Sequence, residues 1–136
     1  LPYALFGTYG VVNALASEST KLTDNDVEKI INALWFGTKN LISRSKFGQL
    51  PRFLLHITYK EAGCYIGGLD NLATLKTDKP QGNEIKSTAD YSVDLSSITA
   101  ELSKYKDKIE SVEYVTDGNI NTEGIGADWK KLDFGI

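Results

Sequence analysis

At 136 residues, with 41% apolar and 24% charged side chains, the chain has the make-up of one globular domain able to bury its own core. No apolar run approaches the roughly 20 residues needed to span a bilayer, no signal-peptide pattern is present, and the single cysteine, Cys64, excludes an internal disulfide, so a reducing, cytoplasmic setting and no membrane partner are expected. The formal charge of -3 excludes a protein that coats nucleic acid with its whole surface, but residues 29–60 hold six Lys and Arg and no Asp or Glu, against nine cations and eighteen anions elsewhere.

The chain has no methionine and opens on Leu1-Pro2-Tyr3 within an apolar run, which reads as a fragment or processed piece. Tyr3 to Val12 is β-branched, aromatic and glycine-punctuated, and predicts a strand with close backbone approach at Gly7 and Gly10. A polar connection follows from Asn13 to Leu22. Thr23 then caps a helix whose first turn holds Asp24 and Asp26 against the dipole. Val27, Ile30, Ile31, Leu34 and Trp35 fall at i, i+3, i+4, i+7 and i+8, one apolar stripe. Gly37 ends this helix or interrupts it before a further turn or two through Ser45. If residues 39–46 are helical, Lys39, Ser43 and Lys46 share one stripe beside Asn40 and Arg44.

Phe47 to Pro51 predicts a turn, because Pro51 disfavours helix at Leu50. Arg52 to Lys60 alternates, with Phe53, Leu55, Ile57 and Tyr59 on one face of a strand and Leu54, His56, Thr58 and Lys60 on the other. Cys64-Tyr65-Ile66 can return as a short strand, Asp70 to Leu75 can form one helical turn, and Lys76 to Thr88 is a loop. A second helix starts after Ser96 or Ser97, with Ile98, Leu102, Tyr105 and Ile109 as its apolar positions. Val112 to Val115 is a strand. Asp117 to Ile136 is rich in Gly, Asp and Asn, with Ile125, Trp129, Leu132 and Phe134 as anchors. The order β-α-β-β-α-β predicts an α+β fold: a ferredoxin-like or RNA-recognition-motif-like antiparallel sheet with two helices on one face.

Enzyme signatures are thin. Gly37-Thr38-Lys39 resembles the end of a phosphate-binding loop, but position 32 is Asn where that motif needs Gly, and a helix precedes it. One histidine and one cysteine exclude any site needing several such ligands, so no metal or cofactor is expected. His56 is either a packed histidine or a general acid or base in metal-free RNA cleavage. The segment from Lys39 to Arg52 alternates cations with small hydrogen-bonding side chains, which suits a phosphate backbone. Cations collecting near a helix C-terminus would give the same composition.

Thr38-Lys39-Asn40-Leu41-Ile42-Ser43-Arg44-Ser45-Lys46-Phe47-Gly48-Gln49-Leu50-Pro51-Arg52, with Ala33-Leu34-Trp35 before it, resembles the backbone subunit of type I-B CRISPR interference complexes (Cascade), in the repeat-associated RNA-binding superfamily. Leu22-Thr23-Asp24, Tyr65 to Asp70 and Tyr105 to Glu110 agree. The resemblance covers the later part of the family's usual length, so residues 1–136 are expected to be a single RNA-recognition-motif-like domain or the C-terminal portion of an elaborated one, the N-terminal part being absent. It implies a non-catalytic subunit that polymerises on CRISPR RNA into a helical filament with neighbouring copies of itself and other Cascade subunits, and meets target DNA indirectly through the guide. The alternative is a metal-independent endoribonuclease that processes CRISPR RNA, with His56 as its acid or base.

The resemblance puts RNA contacts between Asn40 and Arg52. Physical reasoning assigns phosphate clamping to Arg44 and Arg52, point charge to Lys39 and Lys46, and hydrogen bonds to Asn40, Ser43 and Gln49. Such contacts are sequence-blind, because complementary strands read the bases. The loops Lys76 to Thr88 and Asp117 to Ile136 are candidates for contacts between copies.

Overall fold

The computed structural model of the chain describes residues 3–44 and 48–134. The alternation from Phe53 makes β1 (Phe53–Tyr59), which pairs antiparallel with β4 (Ile109–Thr116), Phe53 opposite Thr116 and Ile57 opposite Val112, with a register shift at Thr58/Tyr59. As expected from period two, Phe53, Leu55, Ile57 and Tyr59 all turn to the core. The short β6 (Lys130–Lys131) adds to β4 in parallel. A second sheet joins β2 (Thr74–Lys76), β3 (Ser92–Asp94) and β5 (Asn121–Glu123) in that order, β2 antiparallel to β3 and β5 parallel to it.

Helix α4 (Ser96–Lys104) begins as the sequence predicts and buries Ile98 and Leu102. It is shorter than its apolar spacing suggested: Ile109 opens β4 instead of closing the helix. Leu95, 1% exposed, sits between β3 and α4, and Val93, Val112, Ile120 and Trp129 complete a core shared by the two sheets. The fold is α+β and compatible with a ferredoxin-like arrangement. Two features differ from an all-antiparallel sheet: the strands form two small sheets, and the last strand of each pairs in parallel.

Helix α2 (Asp24–Asn32) is preceded by a connection that holds a 3-10 turn at Ala14–Ala16 and the single-turn α1 (Ser17–Thr20). The Thr23 hydroxyl accepts from Asp26 N–H while the Asp26 carboxylate accepts from Thr23 N–H at 3.0 Å, a complete capping box. The helical path runs on through a π-turn (Ala33–Gly37) into α3 (Thr38–Asn40) and stops where Leu41 turns extended, φ -70° and ψ 111°. Gly37 therefore interrupts α-geometry without ending the helical run. The apolar stripe has the predicted spacing but divides in burial. Trp35, 6% exposed, stacks on Phe134 at 6.2 Å, and Phe36 meets the same ring edge-on at 4.9 Å, whereas Ile30 and Leu34 are exposed. With Ala33, Gly37, Thr38 and Leu41 these two residues line an open apolar groove.

Two expected strands do not form. Tyr3 to Val12 is irregular and mostly exposed, and space is open around Gly7 and Gly10, so neither glycine serves a close approach. β-type residues make a strand only when a neighbour accepts their ladder bonds. Here the segment is held by side chains instead: Tyr3 and Tyr91 share a hydroxyl–hydroxyl bond of 2.8 Å, and Tyr9 donates to the Ile66 carbonyl at 2.6 Å. Cys64 to Ile66 is likewise not a strand, because Ile66 N–H donates to the Tyr59 hydroxyl at 3.1 Å. The single helical turn lies at Leu69–Leu72, and β2 follows it.

Candidate nucleic-acid interface

The end of the helical run and the approach to β1 set the geometry of the cation-bearing segment. The Thr38 hydroxyl bonds back to the Leu34 carbonyl at 2.7 Å, and α3 ends two residues later. Lys39 and Asn40 thus occupy the last helical turn, both exposed, with Lys39 favourably placed against the carbonyl end of the dipole. The helix ends at Asn40, so Ser43 lies past it and shares no helical stripe with Lys39; Ser45 and Lys46 lie outside the described residues.

Arg44 is exposed in a turn, and Gln49 is exposed just after Gly48, whose φ of 84° gives the chain a left-handed step. The Ser43 hydroxyl oxygen is buried without a hydrogen-bond partner among the described residues. Neither Lys39 nor Arg44 enters any ion pair found among the described residues. Lys39 and Asn40 on the last helical turn, and Arg44 and Gln49 beyond it, are therefore presented to solvent.

Arg52 is placed differently. Its Nη1 donates to the Asp117 carboxylate, and both side chains are largely shielded, 21% and 14% exposed. That hydrogen bond holds the guanidinium above its ordinary pKa, against the opposing effect of burial. Asp117 was invisible as a partner in the sequence, where it opens a Gly/Asp-rich tail 65 residues away; only the β1–β4 register brings it to Arg52. Tyr91, 3% exposed, is pushed up in pKa by burial and by its bond to Tyr3.

His56 faces Glu113 across the β1–β4 pair, Nδ1 to Oε2 3.4 Å, and Lys130 is Glu113's neighbour on β6. Cys64 is half-buried. Among the described residues no group of three or more His, Cys, Asp or Glu could hold a metal ion, and no helix is long and apolar enough to cross a membrane.

Fold and segment together define an α+β protein with an exposed, acid-free cationic connection between helix and strand, chemistry suited to an oxyanion polymer. Comparison with known proteins gives the family. The family model described as CRISPR-associated protein Cas7 matches residues 1–96, which include the whole connection. The CRISPR-associated protein Cas7 of Haloferax volcanii is similar at 34% identity over 139 residues, a match covering 97% of this chain. The chain belongs to the Cas7 family, and it spans 40% of the length of that curated relative.

Proposed function

We propose that this chain binds CRISPR RNA without sequence preference, as a non-catalytic repeating backbone subunit of a type I-B interference complex that presents the guide for pairing with target DNA. The observation that carries this reading is the pair Lys39 and Arg44: two exposed cations with no ion-pair partner among the described residues, in a stretch of 32 residues without an acidic side chain. An uncompensated cation on an acidic body is a local attractor for phosphate. Asn40 and Gln49 supply exposed neutral donors on either side of Arg44, the Ser43 hydroxyl being buried, and Lys46 adds charge. Neighbouring copies of the chain and other Cascade subunits are its partners, the complex works in the cytoplasm, and target DNA is met through the guide.

The test is binding to unrelated single-stranded RNAs over a salt series. Lys39→Ala and Arg44→Ala are each expected to weaken binding by about 1–3 kcal/mol for every sequence and to lower the salt slope by about 0.7. Unchanged affinity and slope in both variants would overturn the reading. Metal-independent cleavage of repeat RNA, lost in His56→Ala, would replace it with the endoribonuclease.

A further inference from the structure

Four segments far apart in sequence meet at the foot of β1. Arg52 precedes the strand and gives its Nη1 hydrogen to Asp117, at the end of β4. The same two residues are joined through the backbone, Asp117 N–H donating to the Arg52 carbonyl at 3.1 Å. The second Asp117 oxygen accepts from Asn119 N–H at 3.0 Å, so the carboxylate is oriented from both sides. Tyr3 and Tyr91 stand close enough for Arg52 to feel their hydroxyls, which bond each other at 2.8 Å. With 21% and 14% exposure the ion pair is shielded from the screening that empties most surface pairs of value.

This junction terminates the connection that leads from α3 to β1. The described residues from Leu41 to Arg44 and from Gly48 to Arg52 form neither helix nor strand. The connection is joined to α3 at one end and to Arg52 at the other. Arg52 thus shares a charge run with Lys39 and Arg44 but not their environment.

We infer that Asp117 is a positioning residue for RNA binding: through Arg52 it pins the strand end of the cationic connection, and Arg52 serves as an anchor instead of a phosphate ligand. The inference rests on the RNA-binding reading above. It opposes an arrangement in which Arg52 leaves Asp117 to clamp a phosphate. In that arrangement Asp117 is a competing anion, and its neutralisation tightens binding.

The sign of the Asp117→Asn effect separates the two. Affinity for unrelated single-stranded RNAs would be measured over a salt series, with amide hydrogen exchange of the free protein alongside. Asp117→Asn and Arg52→Ala are each expected to weaken binding about tenfold, the scale of one charge-assisted bond, without lowering the salt slope. The double variant should be no worse than either single one, because both remove the same interaction. Exchange should quicken at residues 41–44 and 48–50 while amides of α4 keep their protection, a pattern that general destabilisation would not give. Asp117→Glu, which keeps the charge on a longer arm, should fold if Asp117→Asn does not, and should lose less affinity at an unchanged slope.

Tighter or equal binding by Asp117→Asn, or a slope lowered in Arg52→Ala alone, would overturn the inference. So would unaltered exchange at residues 41–44 and 48–50. Wild-type protein that binds no RNA, in any salt, overturns the RNA reading itself; a wild type that binds and loses affinity in Lys39→Ala but not in Asp117→Asn sinks only the positioning role.

Discussion

Gly124 and Ser96 illustrate how a single backbone choice holds the second sheet to its helix. Gly124 has φ +73°, and a Cβ there would lie 2.7 Å from the Ser96 Cα, at the start of α4. The Gly124 carbonyl accepts from the Thr99 hydroxyl at 2.5 Å, so the loop after β5 rests directly on the first turn of the helix. Gly124→Ala is expected to cost about 2–4 kcal/mol, from left-handed strain together with the overlap, measured by urea unfolding; a cost under half of that would show that the loop can move away. The sequence marks the tail as glycine-rich but does not say which glycine is essential, since that depends on what α4 places opposite. The candidate site divides the same way. Exposure of Lys39 and Arg44 was legible in the acid-free run, because like charges without partners stay in water. The engagement of Arg52 was not, because its partner lies 65 residues along the chain.

Elements were legible in proportion to how locally they are determined. The start of α2 is written in Thr23 and Asp26, three residues apart, and the capping box follows. β1 announces itself through four alternating apolar residues. β2, β3, β5 and β6 are two or three residues long and exist only through their neighbours, so no periodicity could reveal them. The β2-β3-β5 sheet is instead tied by side chains: Lys76 Nζ lies 2.9 Å from both Asp94 and Glu123. Asp94 is held well below the usual carboxylate range, first by its hydrogen bonds with Ser96 and then by Lys76; Glu123 is lowered first by Lys76 and then by Ser92. Because both carboxylates bind protons less readily when folded, their contribution is complete above the ordinary carboxylate range of about pH 4 and fades as pH falls through the lower folded values. Lys76→Ala is expected to raise the titration midpoints of both, read from side-chain carboxyl NMR shifts; midpoints that stay put would deny the lysine its role.

At the scale of the whole molecule, the core joins the two sheets through a few residues. Leu95 is 1% exposed, and its N–H donates to the Glu123 carbonyl at 2.8 Å, so it ties core and β5 at one point. Leu95→Ala should cost about 3 kcal/mol, with Trp129 fluorescence and far-ultraviolet circular dichroism falling in one transition; separate transitions would mean that the sheets melt independently. The helical run from Asp24 to Asn40 stands outside this core, docked by Trp35 and Phe36 on Phe134. Its π-turn has a consequence for aim. One extra residue in a turn swings everything downstream by about 100° around the helix axis, so the aromatic dock and the cationic exit are phased separately, like two gears on one shaft. Shortening residues 33–37 by one would leave Trp35's end of the helix seated while rotating Lys39 and Asn40 to a different bearing, which makes the length of this turn, more than its composition, the variable that points the cations.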